Sequence, residues 1–263
     1  MTRPEGFGHC FERAIVRRPG RSVVDGLRAE DRGSPDQASY LEEHTVYVRA
    51  LEQAGLDVVT LPALDDYPDS VFVEDTALIL PEGVIALNPG APTRRGEALV
   101  MAADCRRLGL ETHWLGGEGT LDGGDVLVTG REILVGLSTR SNPAGFIALD
   151  ELLSAFGYTV RAVRTPPGVL HFKSDCALLG TDTILATRRL AETDCFTSYQ
   201  VIEVPRGEEA AANCIRVNDT VLMPAGFPRT AEQVEAAGFE VDLLPATQAA
   251  LLDGGLSCQS LRF

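Results

Sequence analysis

A single pattern recurs along this chain and limits what it can fold into: an apolar hairpin, a helix and a further strand, repeated about every 45–50 residues. The first round starts with a strand from Ala14, AIVRRPG. A polar, glycine-broken loop (RSVVDGLRAEDRG) follows, and then a helix that opens at Pro35 and stops at Gly55. Its Tyr40, Leu41, Val46, Tyr47, Ala50 and Leu51 recur at helical spacing, and DVVTLPA follows as a strand. The second round is SVFVEDTALIL, a Pro-Glu-Gly turn, VIALNPG, a helix over 94–108 and ETHWL. The third is LDGGDVLVTG, EILVGLS, a helix over 143–156 and YTVRAVR. The fourth is LHFKSDCALLG, TILATRR, a short irregular piece and YQVIEVP; the fifth is ANCIRVN, VLMPAG, a helix over 230–237 and FEVDLLP.

After five rounds the chain ends in LSCQSLRF, which reads as the first strand of another round. Pairing it with the strand after Ala14 removes the exposed sheet edge that a linear array would keep. The expectation is therefore an α/β fold: five pseudo-symmetric units closed into a ring, a five-bladed α/β propeller forming one domain over 1–263. An open, doubly wound α/β sandwich is the alternative. It fits less well because each unit begins with a hairpin, and hairpins are antiparallel.

Aligned on their first strands, the units read VFVED, LDGGD, LHFKS, ANCI and LSCQS. The polar exceptions within them are Glu74, Asp75, Asp122, Asp125, His171, Asn213 and Cys258. Taken singly, a strand cysteine is usually a small core residue, a lone histidine a hydrogen-bonded one, and a carboxylate a solvated one. In a ring, however, equivalent positions meet at the centre, and glycines at 123, 124, 254 and 255 allow close backbone approach. A thiol beside an imidazole points to covalent catalysis. Surrounding carboxylates raise a thiol's pKa and offer nothing to an oxyanion, so they suit a planar cation, and a guanidinium matches a carboxylate bidentately.

Composition restricts the partners. The net charge of -15, with no basic run interleaved with aromatics, argues against nucleic acid and permits a cationic ligand. No run of eighteen apolar residues exists, so no membrane span is expected. The N-terminus carries charges throughout and has no apolar core of a signal peptide. Six scattered cysteines, without Cys-x-x-Cys or zinc spacing, indicate free thiols in a reducing cytoplasm and no metal or other cofactor. Lys173, the only lysine, reads as compositional bias, and the oligomeric state, a homodimer included, stays open.

The segments RSVVDGL, PDSVFVED, GAPTRRGE, GTLDGGD, LSTRSN, LHFKSD, AANCI and DGGLSC resemble, in order and spacing, the dimethylarginine dimethylaminohydrolases, over essentially the whole chain. The resemblance implies the pentein fold with the active site in its central channel. It also implies hydrolysis of Nω-methylated and asymmetrically dimethylated L-arginine to L-citrulline and methylamine or dimethylamine. Cys258 is then the nucleophile, His171 the acid and base, and Asp122 the carboxylate that interacts with that histidine. Asp75 is expected to clamp the guanidinium with support from Glu74, and Arg94 and Arg140 to bind the substrate carboxylate. Leu27, on a lid loop, Asp69 and the backbone near Leu252 are expected at the amino-acid end. Phe72 and Ser257 flank the reacting centre. The extension 1–12 receives no role. Arginine deiminases and amidinotransferases share the Cys, His and carboxylates and form the enzymatic alternative. A non-enzymatic propeller such as a ribosome-binding factor should lack the nucleophile and carry a less acidic surface.

Overall fold

The computed structural model describes residues 6–263. Five three-stranded sheets make up the fold. The first unit contains β1 (Arg13–Arg17), α1 (Gln37–Gln53) and β2 (Asp57–Leu61); the second β3 (Ala77–Leu80), β4 (Gly83–Ala86), α2 (Arg95–Arg107) and β5 (Thr112–Trp114). The third contains β6 (Val126–Val128), β7 (Ile133–Leu137), α3 (Pro143–Ala155) and β8 (Val160–Arg164). The fourth contains β9 (Cys176–Leu178), β10 (Thr183–Ala186), α4 (Arg188–Ala191) and β11 (Gln200–Glu203). The fifth contains β12 (Ile215–Val217), β13 (Thr220–Pro224), α5 (Pro228–Ala236) and β14 (Glu240–Leu244), after which α6 (Thr247–Ala250) leads to β15 (Ser260–Arg262).

In units two to five an antiparallel hairpin is followed, through the helical crossover, by a parallel third strand. Unit one has the same geometry with its outer strand taken from the far end of the chain. β15 pairs antiparallel with β1 (Ala14 opposite Arg262, Ile15 opposite Leu261, Val16 opposite Ser260), while β2 pairs parallel. The expected closure is thus borne out. It is reinforced by Phe263 donating to Arg13 O at 2.9 Å and by the buried Tyr47 hydroxyl donating to Leu256 O at 2.8 Å.

The core forms wedges between neighbouring units, because each middle strand is buried on both faces. Ala14 and Val16 pack with the fifth unit, while Ile15 between them packs with the second. Ile133 and Val135 likewise face the second unit and Leu134 the fourth. Period-two alternation inside an uninterrupted apolar run therefore distributes one strand between two wedges.

Three expectations are corrected. The polar site residues were read inside first strands. They lie instead on short 3-10 turns just before them, at Val73–Thr76, Gly123–Asp125, Phe172–Ser174, Glu209–Ala212 and Ser257–Gln259, or on residues flanking those turns. Arg94 ends a separate turn, Pro92–Arg94, and does not begin α2. The irregular piece of the fourth unit contains α4, and α6 went unread. Within the unassigned N-terminal extension, residues 1–5 lie outside the described residues. His9 O accepts from Asn218 of the fifth unit at 2.8 Å, and Glu12 donates to Phe263 O at 3.0 Å.

If ring closure carries stability, truncating the closing strand's buried apolar side chain should cost far more than truncating an exposed one. Leu261→Ala should lower stability by about 2–4 kcal/mol, whereas Leu243→Ala, at a 47% exposed position, should change it by about 0.5 kcal/mol or less. Parallel thermal melts check the contrast.

Candidate active site

The five turns converge because their register is shared. Counting two residues back from the first strand of units two to five, and from β15, gives Asp75, Gly124, Ser174, Asn213 and Cys258; counting three back gives Glu74, Gly123, Lys173, Ala212 and Ser257. Contacts within each set identify them as two successive layers. Gly124 N donates to Asp75 Oδ1 at 3.0 Å and Asn213 Nδ2 to Cys258 Sγ at 3.7 Å in the first. In the second, Lys173 Nζ donates to Glu74 Oε1 at 2.6 Å and Ser257 Oγ to Glu74 Oε2 at 3.1 Å. The double glycine is required by this crowding. A Cβ on Gly123 would overlap the Glu74 carbonyl oxygen, and one on Gly124 would lie 2.7 Å from His171 Nδ1. His171 and Asp122 sit further back in their units, so the polar residues occupy successive levels of the axis.

A cavity of about 140 Å³ opens above the first layer. Nine of the residues expected from sequence line it: Leu27, Asp69, Phe72, Asp75, Arg94, Arg140, His171, Leu252 and Cys258. Asp122, Glu74 and Ser257 lie behind it, all buried. His171 Nε2 donates to Asp122 Oδ2 at 2.9 Å, which leaves Nδ1 facing Asp75 Oδ1 at 3.8 Å. Asp122 Oδ1 is itself fixed by Gly90 N at 2.7 Å. Leu27 N donates to Asp69 Oδ1 at 2.9 Å, tying the loop over the cavity to its wall.

Arg94 is almost wholly buried. It donates to Asp75, to Glu97 Oε2 at 3.0 and 2.8 Å, and to the carbonyls of Asp69 and Phe72 at 3.2 and 2.8 Å. Most of its donors are therefore occupied within the protein. Arg140 is freer: its side chain is 22% exposed, and Nη1 lies 4.0 Å from Asp122 Oδ2.

Asn213 stood out in the sequence as a polar exception and went without a role. Its Oδ1 accepts from Ser257 N at 3.1 Å while its amide reaches the sulfur. Asp253 also lines the cavity, in the left-handed region at φ 55°, and receives Ala29 N at 2.5 Å and Arg32 Nη2 at 2.6 Å. It opens the DGG run five residues before Cys258, which was the one available signal. Leu170 and Gly254 complete this wall.

Burial pushes the Cys258 thiol up to about 11, and Glu74 and Asp75 push it the same way, so it rests as a thiol near neutral pH. Burial lowers His171, but Asp75, the hydrogen bond to Asp122 and the charge of Asp125 prevail and raise it to about 9. Burial favours the neutral form of Asp75 as well; His171 and Arg94 outweigh it and hold the carboxyl below its usual range. Donor atoms of Asp75, Asp122 and His171 fall within 4.8 Å of one another, near enough to surround a small ion. They are already engaged with each other, with Gly90 and Gly124, and with Arg94, and no metal is assigned to them.

A closed ring of five α/β units, with thiol, imidazole and carboxylates gathered on its axis, defines the pentein class of guanidine-modifying enzymes. The family model described as Arginine deiminase matches residues 62–163. The chain is 38% identical to the N(G),N(G)-dimethylarginine dimethylaminohydrolase of Pseudomonas aeruginosa over 96% of this chain and all of that one. It is 34% identical to the protein of the same name from Streptomyces coelicolor, over 95% and 96% of the two chains. A structure of the Pseudomonas enzyme, a cysteine-to-serine variant complexed with citrulline, superposes with a TM-score of 0.93 over 97% of this chain and all of that one, at 38% identity. The N-terminal domain of a cyanobacterial arginine dihydrolase, 21% identical over 95% and 96% of the chains, shares the fold with a TM-score of 0.84. The chain belongs to the dimethylarginine dimethylaminohydrolase family.

The His171–Asp122 contact sets a pH expectation. A histidine raised from 6.5 to about 9 adds stability that is fully present below its unfolded value and is lost as pH rises through about 9. Asp122→Asn should bring the His171 titration down, followed by NMR of the imidazole, and should flatten the fall in melting temperature between those two values. An unchanged titration would contradict the assigned contact.

Proposed function

We propose that this protein hydrolyses Nω-methyl-L-arginine and asymmetric Nω,Nω-dimethyl-L-arginine to L-citrulline and methylamine or dimethylamine, with residues 1–263 acting as one catalytic unit. The observation that carries the reading is the placing of Cys258, His171 and Asp75 around one small cavity in a member of this family. Two buried carboxylates that disfavour a thiolate favour a cation beside it. A guanidinium entering this cavity brings the positive charge that the thiol lacks, so substrate binding and thiolate formation support each other.

As the cation binds, the Cys258 thiol releases its proton to solvent; the thiolate attacks the guanidinium carbon, and the C–N bond to the methylated nitrogen breaks as protonated His171 gives that nitrogen its proton. Nδ1 is the atom for this transfer, since Nε2 donates to Asp122. The neutral imidazole then accepts a proton from water, which attacks the S-alkylthiouronium carbon. The C–S bond breaks, its electrons return to sulfur, and citrulline is released. Asp75 holds the guanidinium in the plane that presents its carbon to sulfur, supported by Glu74 in the layer beneath. Arg140 receives the substrate carboxylate, with Arg94 as the second, more constrained cation. Asp69, Leu27 and the Leu252 backbone take the amino-acid end, and Phe72 and Ser257 flank the reacting carbon.

Among the described residues no helix is long and apolar enough to cross a membrane. All six cysteines are free, which fits a reducing compartment such as the cytoplasm.

Incubation with dimethylarginine should release citrulline and dimethylamine in equal amounts. Cys258→Ser should lower turnover by at least about 1,000-fold with substrate binding largely retained. In His171→Gly the covalent adduct should accumulate and be visible by intact-protein mass spectrometry. Dominant ammonia release from unmodified arginine would instead identify a deiminase.

A further inference from the structure

Beneath the catalytic layer the axis is closed by Glu74, and the groups that hold it reach it from the opposite side. Lys173 Nζ donates to Oε1 at 2.6 Å, and Arg262 Nη2 approaches the same oxygen at 3.4 Å. Ser257 Oγ occupies Oε2 at 3.1 Å, one residue before the nucleophile. Arg262 also donates through Nη1 to Ser257 O at 3.3 Å and to Ser260 Oγ at 2.6 Å, so it braces the turn that carries Cys258. Lys173, Arg262 and Glu74 line a second cavity of about 630 Å³, and none of its lining residues lines the first. The chain's only lysine thus lies outside the cavity that Cys258 lines, yet one carboxylate away from the turn that carries the sulfur.

We propose that Lys173 is a positioning residue for Cys258: from the far side of the axis it holds, with Arg262, the Glu74 carboxylate in place and directed to these cations and not to the sulfur. A buried carboxylate released from its cation would present its whole charge to a neighbouring thiol. Cys258 is faced by Glu74 and Asp75 from the second unit, His171 from the fourth, Asn213 from the fifth and Tyr40 from α1. Of these, Glu74 is the one with a lysine partner.

This rests on Cys258 being the nucleophile, but its test uses no substrate, so an error in the substrate assignment would leave it standing. Alkylation of Cys258 by iodoacetamide is followed by peptide mass mapping over about pH 6–11, the range in which the thiolate fraction governs the rate. Lys173→Met should displace the profile to higher pH by about one unit, read as roughly tenfold slower alkylation at a fixed pH below the midpoint. Lys173→Arg should restore the parental profile, and Glu74→Gln should displace it to lower pH. In the Glu74→Gln background Lys173→Met should have no further effect, since the carboxylate through which it acts is gone. A folded Lys173→Met protein with the parental profile would overturn the proposal. So would an effect that persists without Glu74. If Lys173→Met alone fails to fold, Glu74→Gln is compared with the double variant, in which the ion pair is removed together. Equal profiles support the proposal and unequal ones overturn it.

Discussion

The antiparallel pairing of β15 with β1 is the constraint on which the rest depends. It joins the two ends of the described chain, completes the first sheet and converts five similar units into a ring with an axis. Ser260 opposite Val16 fixes the register, and Cys258 lies two residues before it. A slip of one residue would send every side chain of a strand to its other face, taking Leu261 out of its wedge and the sulfur off the axis. One hydrogen-bonded register therefore sets both the closure of the core and the position of the Cys258 sulfur.

Closure creates a crowded centre, and the crowding determines the chemistry. Five turns meet where only small residues or charged side chains with partners can be accommodated. Gly123 and Gly124 provide the space. Burying an isolated charge costs several kcal/mol, and the carboxylates here are accordingly matched: Glu74 to Lys173 and Arg262, Asp75 to Arg94, Asp122 to His171. Asp125 receives Ser138 Oγ, Ser141 Oγ and Phe172 N at 2.6, 2.6 and 2.8 Å. Cys258 has no such cationic partner. Burial first, and then Glu74 and Asp75, keep its thiol protonated at rest, which suits the site to a ligand that brings its own charge.

The ring was legible because its periodicity is carried by strong local signals. Apolar runs separated by turns mark every unit, and in every unit but the fourth a left-handed glycine closes the helix: Gly55, Gly109, Gly157 and Gly238, at φ 97°, 79°, 79° and 94°. Closure was legible because LSCQSLRF has the form of a first strand without a second. The 3-10 turns were not legible, since SVFVEDTALIL offers no break between Asp75 and the strand that begins at Ala77. The periodicity of a continuous apolar run does not separate a turn entering a strand from the strand itself. The roles of Asn213, a polar exception already marked in the sequence, and of Asp253 escaped for a different reason. Their roles arise from contacts 45 and 224 residues away, to Cys258 and to Ala29, which no local pattern encodes.

Arg94 and Asp75 show how the buried network relates to function. Exchanging such an ion pair for well-packed apolar residues is often neutral or stabilising, so its value here is orientational. An ionised carboxylate offers about four acceptor directions. Gly124 N uses one on Oδ1 and Arg94 uses one on Oδ2, which fixes the plane of the group against the axis. Its remaining acceptor capacity is directed to a cavity that it shares with His171 and Cys258. A planar donor aligned with that fixed carboxylate has little choice in how its central atom faces the sulfur. The network thus converts a charge requirement into an orientation requirement, and a simple ammonium ion would meet the first without meeting the second.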